Sequence, residues 1–160
     1  TELSILQGGQ CLQAESFEVG TVRMLEGKMK PEEWKRMTAW VKDNCKGIKG
    51  LVGLGTGGNI TKMMKLAGDQ NTKMLGFEPM VALLEHLETL SMEDRMLEYG
   101  LKVDRADVIV PAGQIFKRVM GKAGVNSIFV PKIGLADGIV FGLNQGILEG
   151  HTCEFQDFSF

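Results

Sequence analysis

The sequence lacks the marks of a membrane protein, of a nucleic-acid binder and of a disulfide-stapled secreted domain. None of its apolar runs reaches transmembrane length, and no charged-then-apolar leader opens it. Its 18 basic and 20 acidic side chains leave a formal charge of −2, which gives no general attraction for nucleic acid or a membrane surface. Any phosphate site must therefore come from local arrangement. The 3 cysteines, Cys11, Cys45 and Cys153, are odd in number, widely spaced and without a CxxC pair, which points to a reduced, cytoplasmic setting. Only 2 histidines are present, His86 and His151, and no histidine or cysteine cluster has metal-ligand spacing. Internal repeats and low-complexity segments are absent as well. The first residue is Thr1, not Met, so the chain is expected to be a processed product or a piece of something longer.

What is present suffices for one domain of ordinary size: 160 residues, 44 % of them apolar. The chain is organised around Leu51-Val52-Gly53-Leu54-Gly55-Thr56-Gly57-Gly58-Asn59-Ile60. A short apolar run breaks into glycines and leads into Thr61-Lys62-Met63-Met64, which reads as buried strand, tight turn and helix start. Glycine there permits positive φ and close approach of a ligand to the main chain, and a helix N-terminus behind it suits phosphate. The alternative is a strand-to-helix turn with glycine for packing alone.

Thr1 to Gln7 alternates, with Leu3 and Ile5 on one side and Glu2 and Ser4 on the other. Gly8-Gly9 separates it from a second such run, Gln10 to Val19, as in a β-hairpin with a primed turn. Gly20 to Leu25 reads as a third strand or its lead-in, so an antiparallel three-stranded meander is expected to open the chain. Pro31-Glu32-Glu33 starts a helix whose stripe is Trp34, Met37, Trp40, Val41 and Cys45, closed by Gly47 and Gly50. At that spacing the tryptophans read as core, with a binding surface as the alternative. Thr72 to Glu78 reads as extended, Pro79 opens an amphipathic helix, and Ser91 caps another. A charged connection, Gly100 to Asp107, leads to a helix striped by Ile115, Phe116, Val119 and Met120, with Pro111 at its start or distorting it. Asn126 to Pro131 is a last buried strand. Gly134 to Gly138 turns into a final helix, Ile139 to Leu148, where Gly142 and Gly146 allow close packing. Residues 151–160 form a tail with three phenylalanines, packed against a partner segment or sticky. The fold class is therefore α/β: a mixed five-stranded sheet with an antiparallel three-stranded start and helices on both faces.

Gly53, Gly55 and Gly58 match G-x-G-x-x-G, and Glu78 stands about twenty residues past Gly58, where a dinucleotide-binding fold places its ribose-binding acid. An NAD(P)-dependent dehydrogenase domain is thus one reading. Against it, such a fingerprint uses the first strand of its domain, whereas three strands and a helix are expected to precede this one.

Several segments together resemble the exopolyphosphatase and guanosine pentaphosphate phosphohydrolase (Ppx/GppA) family, which has the actin-like ATPase (ribonuclease H-like) fold shared with sugar kinases. Gly55-Thr56-Gly57-Gly58 resembles that family's GTGGT-like turn, with Asn59 in place of the usual threonine. Ser91-Met92-Glu93-Asp94-Arg95 resembles its S-x-E-E-R segment, and Asp104-Arg105-Ala106-Asp107-Val108-Ile109 its R-A-D-x-I signature. Gly134-Leu135-Ala136-Asp137-Gly138 is similar to its G-L-R-E-G turn, with Ala136 at the basic position, and Gly20-Thr21-Val22-Arg23 to its G-x-V-R segment.

The resemblance implies that residues 1–150 are the second lobe of a two-lobed phosphatase, with 151–160 as a tail. In that family a D-x-G-G-G-S-T-E-L phosphate loop precedes this lobe, and Thr1-Glu2-Leu3 matches the loop's end. The first lobe, its catalytic glutamate and the loop's metal-linked aspartate would then lie outside the fragment, which would be inactive alone. No catalytic or metal-binding residue is expected within it. The implied substrate is polyphosphate or guanosine pentaphosphate, and the implied cofactor of the intact enzyme is Mg²⁺. The implied partners are the missing lobe and a second copy in a homodimer. Toward phosphate the lobe offers Arg105, whose guanidinium suits bidentate binding unless Asp104 or Asp107 engages it, and Arg23 with the same chemistry. Thr56, Gly57 and Gly58 would line the cleft wall, and Lys62 with Lys65 would extend a basic track unless they are a solvated helix face. Asp107 reads as a helix cap. A non-catalytic lobe for dimerisation or phosphate sensing is a further alternative.

Overall fold

The computed structural model describes residues 1–148; the tail at 151–160, with His151 and Cys153, lies outside the described residues. Strands β1 (Glu2–Gln7) and β2 (Gln10–Ser16) form the expected hairpin. Gly8 and Gly9 both take positive φ, 57° and 79°, the backbone that a primed two-residue turn requires. The register shifts between Ile5 and Leu6, whose partners are Gln13 and Cys11, so one residue of β2 bulges out.

The expected third strand is instead helix α1 (Thr21–Leu25). Gly27, at φ 65°, ends it: the Gly27 N–H bonds the Met24 carbonyl and the Lys28 N–H bonds the Arg23 carbonyl at 2.8 Å. Those two bonds make a Schellman stop. With glycines bounding so short a segment, local helical bonds satisfy its backbone without a neighbouring strand.

Helix α2 (Pro31–Cys45) begins at the proline as expected, and Gly47 follows with φ 78°. Then come β3 (Gly53–Leu54), α3 (Gly58–Ala67), β4 (Met74–Gly76), α4 (Phe77–Thr89) and α5 (Met92–Tyr99). Ser91 caps α5 by accepting from the Asp94 N–H at 3.1 Å. The charged connection contains a short helix, α6 (Val103–Ala106), before α7 (Ile109–Ala123), β5 (Ser127–Phe129) and α8 (Leu135–Leu148). Pro79 and Pro111 each stand third in their helix, α4 and α7, where an N–H would have no intrahelical partner, so neither helix is broken.

The α/β architecture is as expected, but the strands do not make one sheet. β1 and β2 stand as a pair, and β3, β5 and β4 form a second sheet in the order β3-β5-β4. With α1 replacing a strand, nothing among the described residues bridges the two. Within the second sheet β3 runs parallel to β5 and β4 antiparallel to it. β3 and β4 are therefore antiparallel, and β3-α3-β4 is not the parallel crossover unit that a dinucleotide fold needs. The dehydrogenase reading fails on topology.

Helix α7 lies at the centre, packed against α4, α2 and α3. Its Gly113 makes the approach possible, because a Cβ there would stand 2.8 Å from both Leu84 Cδ1 and Met63 Cε. On one side Ile60, Met63, Met64, Leu75, Met80, Leu84 and Leu87 form the main core; on the other Phe17, Val19, Met37 and Ile115 form a smaller one. Trp34 and Trp40 pack against the smaller core half-buried, not sealed inside it. Ile139, Val140 and Phe141 of α8 are exposed, and among the described residues nothing lies within 4 Å of a Cβ placed on Gly142. Among the described residues, the close packing expected there is absent at that glycine.

Candidate phosphate-binding site

The chain leaves β3 through Gly55, whose N–H still bonds the Phe129 carbonyl of β5 at 2.9 Å. A Cβ on Gly55 would meet Ile128, Ile60 and Phe116 at 3.2 to 3.3 Å, so the strand end lies tightly on the core. Gly57 then takes φ 116° and ψ 160°, a backbone essentially reserved to glycine. This kink starts α3 at Gly58 with no side chain capping it. The Thr61 hydroxyl instead turns back to the Gly57 carbonyl at 2.8 Å. The first N–H groups of α3 thus stay uncapped, at the positive end of the helix dipole.

Thr56, Gly57 and Gly58 line a cleft of about 680 Å³, closed on its other sides by Thr1 to Ile5 of the hairpin and by Ile115, Phe116 and Val119 of α7. Its floor is apolar, and its polar lining comes from Thr56 and Asn59 at the glycine turn, from Thr1, Glu2 and Ser4 of the hairpin and from Thr21. The Thr1 hydroxyl donates to the Val19 carbonyl at 2.6 Å.

Arg105 is half-buried on α6 and reaches the same turn. Its Nη1 donates to Asn59 Oδ1 at 3.2 Å, and its guanidinium rests where a side chain on Gly58 would be. A Cβ on Gly58 would lie 2.8 Å from Nη2 and 2.9 Å from Cζ. Neither Asp104 nor Asp107 forms an ion pair with it, so among the described residues most of its N–H donors remain uncommitted. Asp107 caps no helix: α7 has no side-chain cap, and Asp107 Oδ1 is buried without a hydrogen-bond partner among the described residues. Arg95 fixes α6 from behind, donating to the carbonyls of Leu87 (2.8 Å) and Ala106 (3.1 Å).

The structure thus brings Arg105 to the turn at Gly58 and Asn59, while Thr56, Gly57 and Gly58 line the cleft, whose lining does not include Arg105. The other cations named from sequence go elsewhere. Lys62 Nζ donates to the Tyr99 carbonyl at 3.1 Å, at the negative end of α5, and Lys65 is exposed. Arg23 stands on the surface 3.8 Å from Glu18. Glu78 is exposed in the first turn of α4, and His86 is exposed and 2.8 Å from Glu98. Sequence reasoning noted Asn59 only as a departure from threonine and missed it as the acceptor for Arg105. No local pattern marks that contact, which joins residues 46 positions apart.

Among the described residues, no three of His, Cys, Asp and Glu gather where one metal ion could be held. The turn and Arg105 are donors, suited to anionic oxygens and unsuited as ligands of Mg²⁺. These residues do not by themselves fit a resident magnesium ion.

No protein-family model matches the chain, and no curated protein does. Solved structures match its fold closely. A Ppx/GppA family member from Aquifex aeolicus aligns with a TM-score of 0.70 at 20 % identity, over 94 % of this chain and 54 % of its own. An exopolyphosphatase from Cytophaga hutchinsonii gives 0.70 at 17 % identity, over 94 % and 54 %. An exopolyphosphatase-like protein gives 0.69 at 21 % identity, over 91 % and 56 %. The chain has the fold of Ppx/GppA proteins and spans about half the length of these structures.

Proposed function

We propose that this chain is the second lobe of a cytoplasmic phosphoanhydride hydrolase of the exopolyphosphatase or guanosine pentaphosphate phosphohydrolase kind, releasing terminal phosphate. The observation that carries the reading is Arg105: a guanidinium with uncommitted donors, set on an uncapped glycine turn at the head of α3. Phosphoanhydride hydrolysis needs an in-line water, a base, Mg²⁺ and donors for the phosphoryl oxygens. This lobe supplies donors. Arg105 and the N–H groups of Gly58 and Asn59 would bind the phosphoryl oxygens of polyphosphate or guanosine pentaphosphate from one wall of an interlobe cleft. The base and the ligands of Mg²⁺ would come from the first lobe and its phosphate loop. Arg23 and Lys62, already engaged with Glu18 and Tyr99, would take a smaller part.

The lobe alone is expected to release no phosphate from polyphosphate, and a two-lobed chain containing it is expected to do so. Comparable release by residues 1–160 on their own would overturn this division of labour. A second reading, a lobe for assembly as a homodimer, is favoured by the exposed Ile139, Val140 and Phe141 of α8. Light scattering with and without polyphosphate separates it: a dimer that ignores polyphosphate supports assembly alone.

A further inference from the structure

We infer that Asn59 and Gly58 are positioning residues: Asn59 holds the Arg105 guanidinium by one N–H, and Gly58 makes room for it. This rests on the reading of Arg105 as the phosphate-binding group, and goes beyond it by naming what aims that group.

An arginine side chain in water samples many rotamers, and ordering it costs free energy that any bound anion would otherwise have to supply. Here the ordering is done beforehand. Asn59 Oδ1 accepts from Nη1 at 3.2 Å, which leaves Nη2 and Nε without a protein acceptor among the described residues. Asn59 is uncharged, so it fixes the guanidinium without neutralising it. A carboxylate at the same place would hold the cation and cancel its attraction for phosphate. Gly58 contributes by absence. Its hypothetical Cβ would overlap the guanidinium, 2.9 Å from Cζ, while its own backbone does not require glycine: among the glycines of this turn only Gly57 has positive φ. The group displaced by a methyl there is the far end of a flexible side chain, so the fold can absorb it. Gly58 is thus needed for the position of Arg105 and not for the helix, where alanine is the better former.

The test uses residues 1–160 with ¹⁵N-labelled arginine. In the wild-type chain the Arg105 side-chain NMR signals should show restricted rotation about Nε–Cζ. Asn59→Ala should release that restriction, and Asn59→Asp should restore it. Gly58→Ala should displace the signals while leaving the melting temperature equal to or above that of the wild type. With tripolyphosphate as probe, Asn59→Ala and Gly58→Ala should each weaken binding about three- to tenfold, the worth of one oriented hydrogen bond. Asn59→Asp should weaken it further despite the restored order. An Arg105 as restricted in Asn59→Ala as in the wild type overturns the inference. So does tripolyphosphate affinity unchanged in both variants while Arg105→Ala lowers it. Affinity that Arg105→Ala leaves untouched instead overturns the phosphate reading itself, and the NMR signals still decide the seat.

Discussion

The two sides of α7 are held together by different means. Around β5 and α4 the side chains of Met63, Met64, Leu75, Met80, Leu84 and Leu87 are sealed from solvent. Each such burial contributes about 1.5–3 kcal/mol, and the charged contacts on this side, Lys117 with Glu85 at 3.4 Å and Arg95 on the Leu87 and Ala106 carbonyls, lie at its margin. Around the β1–β2 hairpin only Phe17, Val19, Met37 and Ile115 are buried in the adjoining cluster. There α2 reaches over with Arg36, which bonds the Glu15 carboxylate, the Ser16 carbonyl at 2.7 Å and Glu33 at 2.9 Å. The same guanidinium lies over the Phe17 ring at 4.4 Å, and Glu33 accepts the Glu18 N–H at 2.9 Å. One side is a core; the other is a hairpin strapped to a helix. The candidate site lies where the two meet, at the turn that leaves the core for the cleft.

This difference can be broken at either side. Leu84→Ala should cost the most, about 3 kcal/mol, since the leucine is fully buried against Gly113 and Met63. Thermal melts should show one cooperative transition at a lower temperature. If that substitution costs no more than Ala in place of the exposed Leu12, the division into core and strapped hairpin is wrong.

Arg36→Ala should act more locally. Hydrogen exchange should quicken at the amides of β1 and β2 while those of α4 and α7 keep their protection, because the arginine ties only the hairpin to α2. Exchange that quickens everywhere would make the two sides a single unit.

The smallest effect is one of pH. Hydrogen bonding from Arg36 holds the Glu33 carboxyl down to about 2, from an ordinary 4.5. A carboxyl depressed in the folded state favours folding wherever it is ionised in the unfolded chain. Its contribution is therefore complete above about pH 4.5 and lost as pH falls toward 2. Glu33→Gln should flatten the stability of the hairpin side over that range; a variant with the wild-type slope would remove Glu33 from the strap.

What the sequence disclosed follows the range of each interaction. Gly8-Gly9, Pro31, Ser91 and the glycine turn act on their own neighbours, and the structure has them as read. The third strand failed because pairing depends on a partner edge that residues 20–25 do not contain, whereas the Schellman stop at Gly27 is local and prevailed. For the same reason the division of the strands into two sheets was not foreseen. In the site, the glycines and Arg105 were readable as residue types suited to phosphate. That they meet, with Asn59 as the joint, needed the fold.

The proposed phosphate-binding role of Arg105 is tested most directly by kcat/KM for polyphosphate in a two-lobed chain carrying Arg105→Ala, beside Arg23→Ala. The expected result is a fall of about a hundredfold for Arg105→Ala, the worth of a lost charge-assisted contact to a phosphoryl group, and a change within about twofold for Arg23→Ala. An Arg105→Ala enzyme with the unaltered kcat/KM would contradict the account.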